Sequence, residues 1–258
     1  MSRVVLGADV CAAGWVVVRL VDGVLDDVEV VDELAELVLP DEVVAPLAVG
    51  IDIPIGLIDG ADRDADTAAR RLLPGRASSV FSTPPRAVVE GWRAGELTTH
   101  RQANDAAVAA NGKGVSQQAW RLVPRIAEAD ELAAAAAPRD GARVGVGAGR
   151  PPAVLEVHPE VAFTIVVGEP LPRKRSWPGV TTRRAVLARL GVELPDRFPG
   201  DEQAAPDDVL DAAVCAWVAD GQGAGAGLLR VPEATDQHDH GRPIAIHARL
   251  PDPPGVHS

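Results

Sequence analysis

Apolar positions fall in short strand-length runs over the first fifty residues and in helical spacings after that. Val4 to Val10 and Gly14 to Val21 each predict a strand. Asp22-Gly23 between them and the next run is a two-residue hairpin signal, because both types tolerate a left-handed backbone, and Val24 to Val31 returns as a third strand. Asp32 suits the cap of a short helix through Leu34 and Leu37. Leu47 to Ile53 has too few polar residues to be half exposed, which predicts a buried strand. Helices are predicted over Asp64–Leu73, Pro84–Arg93, Thr98–Ala110 and Ile126–Ala137. The stretch from Pro138 to Pro152 is rich in Gly, Pro and Arg and predicts a loop. A strand at Val154–Val157, helices at Pro159–Val167, Val180–Leu190 and Asp208–Ala219, a glycine-rich loop at Asp220–Gly227 and a last strand at Ile244–Leu250 complete the pattern, with no internal repeat. Strands and helices mixed in this way predict an α/β protein.

Acidic residues interrupt this pattern at telling places. Asp9 lies at the end of the first apolar run, Asp52 at the end of the buried strand, and Asp208 and Asp211 open the last apolar helix. A carboxylate in an apolar element is costly unless a cation or hydrogen-bond donors offset its charge. Three such elements in one chain point to a shared solution, a bound divalent metal. Asp208 and Asp211 are three apart and share one helix face, where they repel each other unless a cation intervenes. Capping explains Asp207 and part of Asp208, but not Asp211 beside Leu210, Val214 and Trp217. Backbone amides are the alternative partners for Asp9 and Asp52. Glu156, in the Val154–Val157 strand, is either a further ligand or an arginine partner, and His158 is either a proton carrier or a satisfied, partly buried histidine.

Composition narrows the function. The 258 residues, 47% hydrophobic, fit one large domain or a domain with an insertion. The net charge of -12 excludes a nucleic-acid coat that works by bulk charge, so any such binding must come from local basic clusters. Aromatic residues make up 3% of the chain and Tyr is absent, which weakens a single-strand stacking model and suggests that the Trp and Phe residues serve packing. Cys11 and Cys215 form no metal or redox motif and are expected as free thiols in a reducing, cytoplasmic setting. No signal-peptide pattern and no apolar run of membrane-spanning length is evident.

Basic and hydroxyl candidates for phosphate contact are Arg86, after Ser78-Ser79-Val80-Phe81-Ser82-Thr83, and the cluster Arg173-Lys174-Arg175 with Arg183-Arg184. Their alternatives are a capping loop and a solvated face. The segment Lys113 to Gln118, with Ser116 and Gln117, lacks Walker A spacing. His238-Asp239-His240 offers too few ligands for a transition metal, and no G-x-S-x-G supports a serine hydrolase.

Several stretches resemble one family in order along nearly the whole chain: Gly7 to Trp15, Ile51 to Leu57, Ser78 to Phe81, Gly114 to Trp120, Pro124 to Asp130, Glu156 to Glu160 and Asp207 to Ala212. They are similar to domain-of-unknown-function family 429, usually described as predicted RNase H-like nucleases. The resemblance implies a mixed five-stranded sheet, three antiparallel strands then two parallel, flanked by helices. It implies a single domain over 1–258 with a helical insertion at about 60–150, after the fourth strand. It also implies metal carboxylates at Asp9, Asp52 and Asp211, with Asp208 as the extra acidic residue of Holliday-junction resolvases. Ser116 and Gln117, inside one matching stretch, join Arg86, Lys174 and Arg175 as candidate substrate contacts. Ala12 and Ala13, and the run Arg173 to Gly179, depart from the pattern of relatives.

The expectation is a magnesium- or manganese-dependent phosphodiesterase acting on DNA or RNA through a two-metal carboxylate site. A silent RNase H-like binding or regulatory module is the alternative. An actin-like or sugar-kinase-type ATPase ranks last, for want of a second glycine-rich phosphate loop.

Overall fold

The computed structural model describes residues 2–38, 45–137, 151–224 and 227–251. In chain order the elements are β1 (Val4–Cys11), β2 (Gly14–Val21), β3 (Val24–Val31), a 3-10 turn at Leu34–Val38, and β4 (Ala48–Ile51). Helices α1 (Asp64–Leu72), α2 (Arg86–Arg93), α3 (His100–Asn111) and α4 (Gln117–Ala135) follow. Then come β5 (Ala153–Val157), α5 (Pro159–Val167), α6 (Trp177–Arg189), α7 (Pro206–Ala224), β6 (Leu228–Val231), β7 (His238–Asp239), β8 (Arg242–Pro243) and β9 (Ile246–Arg249). The described residues form two compact units, one within 1–52, 144–230 and 247–258, the other within 53–143 and 231–246.

The protein is α/β, with a mixed sheet in the order β3-β2-β1-β4-β5-β9-β6. β1, β2 and β3 pair antiparallel, and β1, β4 and β5 pair parallel. The expected five strands are therefore seven, because β9 and β6 continue the sheet beyond β5. β6 is only four residues long and follows a glycine-rich run, so its periodicity is too short to read. The Asp22-Gly23 turn forms as predicted, with φ of 51° and 83°.

In the first unit, α7 lies against the centre of the sheet, and two glycines make this possible. Gly7 and Gly50 face each other in the β1–β4 register. A methyl group at Gly7 would overlap the backbone of Ala212 and Ala216, and one at Gly50 the backbone of Cys215. Backbone meets backbone there, so only glycine fits. α7 is longer than predicted. Asp220, Gly221 and Gly223, expected in a loop, lie in its last turns. There Asp220 bonds Arg249 at 3.0 Å and Arg3 at 2.8 Å, and the glycines leave room for both arginine stems.

The second unit is mainly helical and carries the β7–β8 hairpin. α4 begins nine residues earlier than the predicted helix at Ile126, with Ser116 as its cap (3.0 Å to the Ala119 N–H). Pro124 sits inside it, so a residue that argues for a break is accommodated instead. Most of the Pro138–Pro152 loop prediction lies outside the described residues. No described helix is long and apolar enough to cross a membrane.

Candidate functional site

Side chains alternate along a strand, so Gly7 and Asp9 share one face of β1, and Gly50 and Asp52 share the same face of β4. Since Gly7 pairs with Gly50 in a parallel register, the two aspartates leave adjacent strands side by side, on the face that α7 covers. Asp211 immediately precedes Ala212, whose carbonyl packs on Gly7. The close glycine contact thus lowers Asp211 onto the two strand carboxylates. One oxygen from each of Asp9, Asp52 and Asp211 lies within 4.8 Å of the others. Two ligands of one hard cation, each at about 2.0–2.6 Å, are at most about 5 Å apart, so the spacing fits a shared ion.

Asp9 and Asp211 are buried and Asp52 keeps a partly open surface. Asp9 accepts a 2.7 Å bond from the Val10 N–H. Lys174, in the turn before α6, donates to Asp211 Oδ2 at 2.6 Å. The other oxygen of Asp211, Oδ1, is buried with no hydrogen-bond partner. Burial, together with the neighbouring carboxylates, raises all three. Asp9 is pushed well above the ordinary range by burial, then by Asp52 and Asp211, with Lys174 opposing. Asp52 rises to about 7 through burial, relieved by Lys174. Asp211 rises to about 7 through burial, with Lys174 lowering it and Asp52 raising it. Three carboxylates this close together could hold a cation, which would offset their mutual repulsion.

Asp208 stands at the rim. It is half-buried, raised by burial and then by Asp207, and its Oδ2 accepts from the Ala205 N–H at 3.3 Å in a capping role. Asp207 is held by Arg175 at 3.1 Å and Lys174 at 3.6 Å. Glu156 is not in the triad, and parity explains why. It pairs with Ile51, one residue off the Gly50–Asp52 face, so its side chain leaves the other side of the sheet.

Of the candidate phosphate contacts, Lys174 and Arg175 are beside the carboxylates. Arg86, Ser116 and Gln117 lie in the second unit. There Arg86 is committed to Asp239 at 2.5 Å and Asp130 at 3.4 Å, Ser116 caps α4, and Gln117 is exposed. Sequence reasoning missed Asp130 and its network. Asp130, Asp239 and His240 bring ligand atoms within 4.8 Å, yet Arg86, Arg93 (3.3 Å) and His240 (2.9 Å) already satisfy Asp130. Burial would raise Asp130, but these bonds hold it below the usual range. That cluster is a neutralised ion-pair network, unlike the Asp9–Asp52–Asp211 triad.

Sequence reasoning also misjudged Trp177. Expected in packing, it is 81% exposed at the first position of α6, three residues after Lys174. Its neighbour Arg175 is equally open, with 81% of its side chain exposed. Cys11 and Cys215 are free and buried, and burial pushes the Cys215 thiol up.

No curated protein and no solved structure matches the chain. A family model described as protein of unknown function, DUF429, matches residues 7–236, and the chain belongs to that family.

Proposed function

We propose that the protein is a metal-dependent phosphodiesterase of RNase H-like descent, acting on nucleic acid through Asp9, Asp52 and Asp211. The observation that carries this reading is the convergence of three carboxylates, from β1, β4 and α7, with oxygens within 4.8 Å and one of them, Asp211 Oδ1, unbonded. The donor set is all oxygen, which suits magnesium or manganese over zinc or copper. A bound divalent cation would supply an activated water and charge stabilisation at the phosphate.

The protein's own groups have distinct parts in this reading. Asp9, buried and oriented by the Val10 amide, fixes the floor of the site. Asp52, partly open, offers the route by which a cation enters. Asp211 divides its oxygens between Lys174 and the cation position. Asp208, half-buried at the helix start, draws a cation or a water's proton towards the rim. Arg175, exposed beside Asp207, and Arg173, exposed two residues earlier in the chain, suit phosphate oxygens, while Trp177 offers a face for an unpaired base.

A silent binding module is the second reading, and Lys174 favours it, because an ammonium at 2.6 Å from Asp211 already offsets part of the charge. Labelled DNA and RNA incubated with purified protein and manganese separate the two. Cleavage that falls at least about 100-fold in Asp9→Asn and Asp52→Asn supports the enzyme. Equal cleavage by both variants and the parent removes it.

A further inference from the structure

We infer that the carboxylate triad takes up one divalent cation per chain, not two, because the Lys174 ammonium already occupies the second cation position. This deepens the metal-dependent reading and rests on it.

Asp9, Asp52 and Asp211 carry three negative charges when ionised, and their oxygens gather within 4.8 Å. Lys174 Nζ sits 2.6 Å from Asp211 Oδ2 and takes one of those charges. Two remain, the charge of a single divalent cation. A second such ion would leave the buried triad with a surplus of positive charge, which a low-dielectric site disfavours as strongly as a deficit. The adjacent ion pairs do not alter this count. Asp207 is held by Arg175, Glu160 by the fully buried Arg183, and the half-buried Asp208 stands outside the 4.8 Å cluster with its Oδ2 on the Ala205 amide.

The oxygens agree with the charges. In two-cation sites a shared carboxylate bridges the ions with one oxygen towards each. Here Asp211 has one oxygen, Oδ1, buried and unbonded, and the other, Oδ2, bonded to Lys174. Its two oxygens are thus divided, one unbonded and one held by an ammonium. Lys174 Nζ also lies 3.6 Å from the buried Asp207, while its side chain as a whole is 36% exposed.

The test counts ions without requiring turnover. Manganese is titrated into the full chain by calorimetry at pH 8, with electron paramagnetic resonance of the bound ion as the second readout. The parent is expected to bind one manganese per chain with an uncoupled spectrum. Lys174→Met, of similar length but neutral, is expected to bind a second, weaker manganese and to show spin coupling between the two. Lys174→Arg keeps the charge and is expected to remain at one, which separates charge from damage to the fold. Two ions in the parent, or one ion of unchanged affinity in Lys174→Met, overturns the assignment of Lys174 while leaving a metal-dependent site standing. No binding by the folded parent overturns both.

Discussion

At the residue scale, burial makes the triad carboxylates hold protons they would release in water. Asp52 and Asp211 sit at about 7 against an ordinary value of 3.8, chiefly through burial. The cation-free folded chain therefore binds protons between roughly pH 4 and 7 that the unfolded chain has lost. Stability of the cation-free protein falls as pH rises through that window. Thermal melts in chelator are expected to show a lower Tm at pH 8 than at pH 5. Asp52→Asn is expected to flatten this dependence and to raise the Tm at pH 8, by about 2–4 °C for each kcal/mol of relieved repulsion. Manganese must displace the same protons, so its affinity is expected to climb from pH 6 to pH 8 with measurable proton release. An affinity independent of pH would contradict the burial of these groups.

At the element scale, the site exists because α7 comes within backbone contact of β1 and β4. Gly7→Ala is expected to force the helix away, costing about 1–3 kcal/mol in urea denaturation and weakening manganese binding together with stability. Gly95→Ala is a useful contrast, because open space surrounds that glycine and only its positive φ of 74° opposes the change. Trp177→Ala, on an exposed side chain, is expected to leave the Tm unchanged and to weaken a single-stranded oligonucleotide by about 5- to 100-fold, the range for loss of one stacked base. Unchanged oligonucleotide affinity would remove the stacking role.

Strands β1 to β3, and the placing of Asp9, Asp52 and Asp211 in or beside apolar elements, were legible in the sequence because an acid in an apolar run is a local signal. The face of each acid was not. Asp52 and Glu156 lie in similar apolar strands, and only the β4–β5 register, Ile51 opposite Glu156, puts them on opposite sides. Gly7 and Gly50 could have supplied the missing hint, since glycine within a strand marks a close approach. The partners of Lys174 and Arg86 depend on tertiary contacts across 37 and 153 residues, which no local pattern encodes.

At the scale of the whole molecule, charge limits how nucleic acid is held. A net charge of -12 repels a phosphate backbone everywhere except at local basic groups such as Arg173, Lys174 and Arg175. Two or three phosphate contacts correspond to a slope of about -2 to -3 in log affinity against log salt. Fluorescence anisotropy across a salt series is expected to return that shallow slope. A slope of about -6 or steeper would mean more phosphate contacts than these three groups supply.

The central claim is that Asp9, Asp52 and Asp211 together hold a divalent cation. Crystals grown with manganese and measured for anomalous scattering test it directly. The account predicts a peak among the three carboxylates, within about 2.5 Å of an oxygen from each. Density free of any such peak at millimolar manganese, with Lys174 still bonded to Asp211, would contradict it.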